Sequence, residues 1–511
     1  MQIVVTQNVI HLSFLPSIVR KRFPLLLSLL FLLLVFCPSS LFAQIDPPIR
    51  VELESAKDQQ DYHSISLSQH GIAIFYQSAV LSVDTVQWVF IQYDTNLVRT
   101  NLYKIKLPNL CQYLATDFSN DKLYLFLQKP AYKKDTLKNY LLEWNVHTDD
   151  FQLFDLHNYK SPYLSSIKVV NDNLFIIVDE QKTKSIIYYN YKTHTKQDIQ
   201  IIEDEVIAIE SFCIDTVVRK TYCCMFLKNK KSSHAELFVT DYSGTIKERI
   251  VFPFYEDIVY NSAKAMITGK DSLLLVGGYT YMKDKKQKGC YSGIYTMRFS
   301  KNKFSDINTY SFGALVAKDS VFNTKYLAES NLTMSMHVIK SNENIFAVTH
   351  LFYPEYQYHS TSSYRGFGYY GYEPPTQVFM GFKFLNAYIF ELNSIGALLN
   401  EWYFPIKNVL TQSLYNLVNL HQDREGNSLF FYVYKNEIIS QFMNGQRVIA
   451  AQTATPVELT HQTDILEYSS NIYMQHWYDN NFLLSGYQYI KNTQRSKGKR
   501  YVFFLNKLIC E

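Results

Sequence analysis

The stretch 362–375, SSYRGFGYYGYEPP, concentrates aromatic rings and glycines in a chain that otherwise uses glycine sparingly. Tyrosine and phenylalanine rings stack on flat ligand surfaces, and an arginine beside them can contact an anion. Glycines allow such a segment to turn tightly. The candidate ligand-binding residues of this stretch are Tyr364, Arg365, Phe367, Tyr369, Tyr370 and Tyr372.

Runs of lysine form a second group of candidate binding residues. Lys285, Lys286 and Lys288 lie in one run, and comparable runs occur at 129–138 and 491–500. Lysine outnumbers arginine in these runs, which favours diffuse attraction to an anionic partner over bidentate recognition. The alternative interpretation is that surface hairpins carry lysine for solubility and to discourage edge pairing.

Recognised catalytic motifs are missing from the sequence. It contains no G-x-S-x-G elbow, no H-E-x-x-H pair, no phosphate-binding glycine loop and no calcium-loop pattern. The paired carboxylates of a glycoside hydrolase are defined by their separation in space, so a linear sequence does not reveal them. An enzyme therefore remains open as an alternative.

The elements that must position these residues follow an internal repeat, in which a polar turn with Asn, Asp or Gly precedes an apolar strand. Most successive turns are about fifty residues apart, the period of a four-stranded blade rather than of a helical solenoid. The turn–strand segments are 69–76, 120–127, 171–178, 220–227, 270–278, 342–350, 425–433 and 479–487. The segment at 220–227 is the weakest.

Each repeat supplies four strands, A to D, and the pattern resembles the β-propeller architecture over nearly the whole chain. It matches no particular propeller family, because it lacks repeated WD dipeptides, aspartate boxes and any kelch-like glycine pair beyond Gly277–Gly278. The resemblance implies an all-β single propeller at 44–511 with about eight four-stranded blades. Seven is the alternative if 220–227 is misread.

The two ends of the repeat array predict how the ring closes. The last repeat ends with a C strand at 500–508, while 49–55 is a strand-like segment that precedes the first blade. A propeller must close its ring. We therefore predict that 49–55 pairs beside 500–508 and completes the last blade.

Propeller topology also assigns each connection to a face. The B/C and D/A connections lie on one face, called the B/C face below, and the A/B and C/D turns lie on the A/B face. The stretch 362–375 is a long B/C insertion, so it either contacts a ligand or folds back to plug the channel. The lysine runs share its face, whereas the A/B turns carry acidic residues such as Asp121, Asp172 and Asp271.

The innermost A strands carry polar side chains that could bind a metal or move protons in the central channel. They lie at different offsets from their A/B turns, so they need not reach one level of the channel. These residues are His63, Asp117, Glu210, His337, His421 and His476.

The first residues resemble an export signal. Arg20, Lys21 and Arg22 precede the apolar run 23–36, and cleavage is expected after Ala43, which makes 1–43 a signal peptide. The run is shorter than the roughly twenty residues of a spanning helix. Lipidation at Cys37 is the alternative, but the bulky Phe36 before it disfavours a lipobox. No later apolar stretch approaches spanning length.

Six further cysteines follow Cys37, and their spacing matches neither a zinc site nor a C-x-x-C redox pair. Cys213 and the adjacent Cys223 and Cys224 lie on neighbouring strands of one hairpin. A disulfide there and buried free thiols both remain open.

The chain is 47% hydrophobic and 16% aromatic with a formal net charge of +4, which is typical of a globular strand-rich protein. We predict an exported binding protein, periplasmic, at the cell surface or extracellular, that engages an acidic polysaccharide or a protein partner. The alternative is a carbohydrate-active or other hydrolytic enzyme acting in the channel. No cofactor, metal or nucleic-acid partner is expected.

Overall fold

A computed structural model of the chain describes most of the region from Ile49 to Cys510. The described residues are 49–55, 61–130, 137–157, 164–179, 184–199, 205–228, 233–255, 257–282, 291–313, 315, 332–359, 376–461, 463–492, 494 and 498–510. Within them, no helix has both the length and the apolar character needed to cross a membrane.

The first strand and the first four blades are consecutive along the chain. Strand β1 (Ile49–Glu54) precedes blade 1, which has β2 (His63–Ser66), the 3-10 helix η1 (Ser68–His70), β3 (Ile72–Val80), β4 (Thr85–Tyr93) and β5 (Arg99–Pro108). Blade 2 has β6 (Gln112–Ser119), β7 (Lys122–Lys129), β8 (Lys138–Asn145) and β9 (Asp150–Asp155). Blade 3 has β10 (Ser166–Val170), β11 (Asn173–Asp179), β12 (Lys184–Asn190) and β13 (Thr195–Ile199). Blade 4 has β14 (Glu205–Asp215), β15 (Lys220–Lys228), β16 (Ser233–Asp241) and β17 (Ile246–Val251).

The second half of the array continues in the same order. Blade 5 has β18 (Ile258–Tyr260), β19 (Lys264–Gly269), β20 (Ser272–Tyr281), β21 (Gly293–Ser300) and β22 (Lys303–Ser311). Blade 6 has β23 (Thr333–Ser341), β24 (Asn344–His359), β25 (Thr376–Leu392) and β26 (Leu398–Thr411). Blade 7 has β27 (Asn419–Gln422), β28 (Asn427–Tyr434), β29 (Glu437–Asn444) and β30 (Arg447–Pro456). Blade 8 has β31 (Asp464–Tyr478), β32 (Asn481–Asn492) and β33 (Lys499–Ile509).

Strand pairing confirms an eight-bladed β-propeller. Seven sheets follow chain order, and in blade 5 both β18 and β19 pair with β20. The eighth sheet has the order β1-β33-β32-β31, with Ile49 opposite Lys507 and Glu54 opposite Val502. The predicted closure by the N-terminal strand is therefore confirmed. The weak repeat at 220–227 forms the B strand β15, so the count is eight rather than seven.

The hydrophobic core lies between neighbouring blades, because the B and C strands are apolar on both faces and each sheet packs against two others. One cluster joins blades 6 and 7 through Phe346, Trp402 and Phe430, with the Trp402 and Phe430 ring centroids 5.1 Å apart. Fully burying a side chain of this size contributes about 1.5–3 kcal/mol. Repetition of such contacts around the ring fixes the eight A strands around its axis.

Tight turns on the A/B face follow directly from the sequence. Asn120 and Asp121 have φ values of +50° and +58°, and Asn171 and Asp172 have +46° and +64°. Two successive residues with positive φ form the type I′ turn that suits a two-residue hairpin, and Asn and Asp tolerate that conformation well. The polar turns that marked the repeat are therefore backbone requirements.

Candidate functional site

The residues predicted to bind ligand all lie outside the described residues. These are Tyr364, Arg365, Phe367, Tyr369, Tyr370 and Tyr372 of the aromatic stretch, and Lys285, Lys286 and Lys288 of the lysine run. What the structure describes is the hairpin that carries the aromatic stretch and the rest of the B/C face. That hairpin is formed by β24 and β25, so its position as the B/C insertion of blade 6 is confirmed.

The β24–β25 hairpin extends well beyond the packed core of blade 6. Leu351 and Phe352 are buried, whereas the seven residues that follow them to His359 continue the ladder outward. These residues and their partners on β25 are called the stem below. At about 3.3 Å per residue, the stem adds roughly 20 Å of paired strand. Gly381 has φ +135°, and a Cβ there would lie 2.5 Å from the carbonyl oxygen of Thr411, so this position of the stem requires glycine.

Aromatic side chains line the exposed stem. The ring centroids of Tyr356 and Phe379 are 5.6 Å apart, and those of Phe379 and Phe382 are 5.1 Å apart, both in edge-on geometry. Tyr358, near the tip, is 67% exposed. The aromatic character of the stretch 362–375 therefore continues onto the paired strands that support it.

Other connections on the same face also expose apolar side chains. Val83 in the B/C turn of blade 1 is 87% exposed, and Phe254 in the connection between blades 4 and 5 is 76% exposed. Further exposed members on this face are Val80, Leu81, Leu110, Leu114, Ile207, Tyr255, Met282, Val378, Leu414, Ile465 and Tyr468. On the A/B face, the described chain exposes the large apolar residues Val98, Val217, Ile395 and Leu399, and also Ile49, Val448 and Ile449 at the starts of D strands. The B/C face therefore exposes more large apolar side chains, and more aromatic ones, than the A/B face does.

Charged side chains are also exposed on the B/C face. Exposed lysines lie at strand ends on the B/C face, including Lys138, Lys228 and Lys499. Lys499 forms an ion pair with Glu467, with 3.9 Å between Nζ and Oε2. Such an exposed pair contributes at most about 1 kcal/mol, which leaves the lysine available to an anionic partner.

On the inner A strands, the predicted polar residues have partners of their own. The Asp117 carboxylate accepts hydrogen bonds from Lys168 Nζ and the Val169 amide, both at 2.8 Å. Glu210 lies 3.6 Å from Lys264 Nζ. These pairs join the A strands of blades 2 and 3 and of blades 4 and 5, so they hold neighbouring blades together.

Within the described part of the chain, the inner-strand histidines form no metal-binding group. His63 packs against Phe75 and Tyr113, and burial lowers its pKa. His421 lies beside the A/B turn of blade 7, and burial also lowers its pKa, with a further contribution from the nearby His476. The six inner-strand candidates therefore do not assemble one catalytic centre within the described residues.

His337 forms an unusual buried contact with His350. Their rings stack with centroids 5.2 Å apart and 9° between planes, and the Val418 amide donates to His350 Nε2 at 3.1 Å. Burial lowers the pKa of His337 to about 4 and that of His350 well below its ordinary value. Both rings are therefore neutral at neutral pH, which suits a packed pair rather than a proton shuttle.

Three other side chains converge on the A/B face, at the boundary of blades 1 and 2. His70 Nε2 lies 2.9 Å from one carboxylate oxygen of Asp121, and His147 Nε2 lies 3.3 Å from the other. Among the described residues, this is the group whose donor atoms could surround a metal ion, since they all lie within 4.8 Å of one another. Asp121 was predictable as an acidic turn residue, whereas the two histidines lie in turns far apart in the chain and no motif joins them.

The five described cysteines, Cys111, Cys213, Cys223, Cys224 and Cys510, are free thiols. In the β14–β15 ladder, Cys213 lies opposite Tyr222 and Cys223 lies opposite Phe212. Burial raises the pKa of Cys213 to about 12. The free-thiol alternative of the sequence analysis is the one found in the structure.

Comparison with known proteins finds similarity among solved structures alone. No protein-family model matches it, and neither does any curated protein. Solved structures similar to it include the polysaccharide lyase Uly1 (8% identity, 78% of this chain and 90% of that one, TM-score 0.41). The Dos1 propeller is also similar, with 9% identity over 78% of this chain and 92% of that one and a TM-score of 0.39. A eukaryotic initiation factor has 11% identity over 88% of this chain and 98% of that one, with a TM-score of 0.38. At such low identities and TM-scores these likenesses carry no argument, and the fold rests on the strand pairing described above.

Proposed function

We propose that this protein is an exported binding module whose B/C face engages a protein partner. The observation that carries the proposal is the concentration of exposed apolar side chains on that face. Soluble monomers rarely expose contiguous apolar surface of more than a few hundred Å² unless it contacts another molecule. Export rests on the sequence of residues 20–43.

The chemistry of the exposed side chains favours a protein over a glycan. Sugar rings are recognised by flat aromatic side chains with polar groups beside them, and Tyr356 and Tyr358 could serve that purpose. However, Val83, Leu81 and Met282 are exposed on the same face and have no flat ring. Mixed aliphatic and aromatic surface with charge at its edge is typical of the core and rim of a protein interface.

The charge at the edge suggests the character of the partner. Lys138 and Lys228 are exposed at strand ends on this face. Lysine attracts acidic surface diffusely and raises the association rate at low ionic strength. We therefore expect a partner with an apolar contact region bordered by acidic side chains.

The test compares two matched triple variants as baits in extracts of the source cell's envelope. The first replaces Phe254, Tyr356 and Tyr358 with serine on the B/C face. The proposal predicts that wild type captures a defined protein and that this variant captures at least about tenfold less, since exposed aromatic anchors commonly contribute 1–2 kcal/mol or more each.

The control variant replaces Val98, Val217 and Ile395 with serine on the A/B face, where exposure is comparable. Capture by this control should equal capture by wild type. Equal loss in both variants would contradict the proposal, and so would capture that neither variant changes. Binding to acidic polysaccharides that the B/C variant alone loses would replace the protein partner with a glycan.

A further inference from the structure

The cluster of His70, Asp121 and His147 is built from three separate turns that the backbone ties together. His70 ends η1, where its amide donates to the Leu67 carbonyl at 3.0 Å. The Val146 amide donates to the Asp121 carbonyl at 3.1 Å and so joins the A/B and C/D turns of blade 2. The three side chains are therefore positioned before any ion arrives.

The C/D turn that presents His147 is itself fixed by a side chain. Asn145 Oδ1 accepts hydrogen bonds from the His147 amide at 3.0 Å and from the Thr148 amide at 3.2 Å. An Asx turn of this kind limits the directions in which the imidazole can point. The ring of His147 lies nearly perpendicular to that of His70, with centroids 4.8 Å apart.

In other blades, the aspartate at the same A/B turn position accepts hydrogen bonds from tyrosine or lysine side chains. Asp172 accepts a hydrogen bond from the Tyr191 hydroxyl, and Asp271 accepts from Lys220 Nζ and the Tyr222 hydroxyl. Those carboxylates are satisfied by a phenol or an ammonium group, neither of which suits a metal site. At Asp121, two imidazole nitrogens that can ligate a metal occupy the corresponding place.

Two imidazoles and one carboxylate form a ligand set that suits a divalent ion of intermediate hardness, such as zinc. Zinc binds imidazole nitrogen at about 2.0–2.1 Å and carboxylate oxygen at about 2.0–2.2 Å, so tetrahedral ligands lie roughly 3.4 Å apart. The 2.9 Å and 3.3 Å distances in the cluster are close to that separation. Small side-chain rotations would bring all three donors to one ion.

We propose that His70 Nε2, the Asp121 carboxylate and His147 Nε2 bind a divalent ion of the zinc class at the boundary of blades 1 and 2. The side chains of His70, Asp121 and His147 are 34%, 50% and 56% exposed, so the remaining coordination positions face solvent. The ion joins the A/B turn of blade 1 to both turns of blade 2. This site lies on the face opposite the proposed partner surface and does not depend on it.

The test is calorimetric titration of ZnCl₂ into the full chain, purified without a polyhistidine tag and freed of metal with EDTA. We expect saturable binding of one ion and a rise in Tm on adding zinc, because a ligand that binds the native state stabilises it. His70→Asn and His147→Asn should each weaken zinc affinity at least about tenfold, since loss of a side chain that merely hydrogen-bonds to a metal ligand already weakens affinity about 10–100-fold.

His157→Asn is the matched control, because His157 Nδ1 lies 3.2 Å from Asp155 in an exposed histidine–carboxylate pair. This variant should bind zinc as wild type does. Visible absorption of bound Co²⁺ that is present in wild type and absent from His147→Asn would report coordination of an ion that depends on His147. Absence of saturable zinc binding would overturn the proposal, as would equal affinity in wild type, His70→Asn and His147→Asn.

Discussion

Replacing His337 with phenylalanine should reduce the acid sensitivity of the propeller. The His337 and His350 rings stack in the interior of blade 6, and neither nitrogen of His337 has a hydrogen-bond partner among the described residues. Protonation of His337 would place a charge beside a second buried imidazole. A phenyl ring keeps an aromatic stack on His350 but cannot be protonated.

The size of the expected loss of stability in acid follows from the pKa of His337. Burial lowers this pKa to about 4, whereas an unfolded histidine has a pKa of about 6.5. Because the folded value is the lower one, this contribution to stability is complete above pH 6.5 and is lost as the pH falls toward 4. At pH 4.5 the loss is about 2.5 kcal/mol.

The assay is the Tm of wild type and His337→Phe at pH 7.5 and at pH 4.5. For a unit the size of Pro47–Cys510, the unfolding entropy is about 1 kcal/mol/K, so 2.5 kcal/mol corresponds to about 3 °C. Wild type should lose about 3 °C more than His337→Phe between the two pH values. The same exchange at the exposed His157 should leave the wild-type loss unchanged. Equal losses in wild type and His337→Phe would refute the reasoning.

Two further predictions concern an ion pair within blade 8 and the cysteines. Asp464, whose side chain is fully buried, pairs with Arg500 in blade 8, and this bond lowers the pKa of Asp464 to about 2. Asp464→Ala should cost about 1.5–3 kcal/mol in the free energy of unfolding, because it removes charge-assisted hydrogen bonds while Arg500 keeps Glu52 as a second carboxylate partner at 3.0 Å. Glu467→Ala at an exposed pair should cost at most about 1 kcal/mol, and equal costs would contradict the account. Burial raises the pKa values of Cys213 and Cys510 to about 12. Both thiols should therefore react slowly with a thiol reagent at pH 8 in the native protein and fully after unfolding without reductant; thiols missing after unfolding would indicate a disulfide.

The repeat of turn and apolar strand was sufficient to predict the propeller. A strand buried on both faces has a continuous apolar run, and a two-residue hairpin needs residues that tolerate positive φ, so both features are visible locally. Even the weak segment at 220–227 follows this pattern and forms β15. Closure by β1 was predictable because the last repeat lacked one strand.

Contacts between blades were not predictable in the same way. His70 and His147 meet because the packing of blade 2 against blade 1 brings their turns together, and no periodicity in the sequence encodes that distance. The partners of Asp117 and Glu210 are lysines on the next blade's A strand, at positions that depend on register between sheets. The repeat specifies which strand a residue occupies, but not which side chain of the next blade faces it.

Site-specific photocrosslinking tests the central claim, a partner surface on the B/C face, most directly. A photoreactive phenylalanine analogue is placed at Tyr358 or Phe254 on that face, and at Val217 on the A/B face, in the protein as its own cell produces it. The account predicts one crosslinked protein adduct from Tyr358 and Phe254, and none from Val217. An adduct from Val217 alone, or no adduct from either residue of the B/C face, would contradict it.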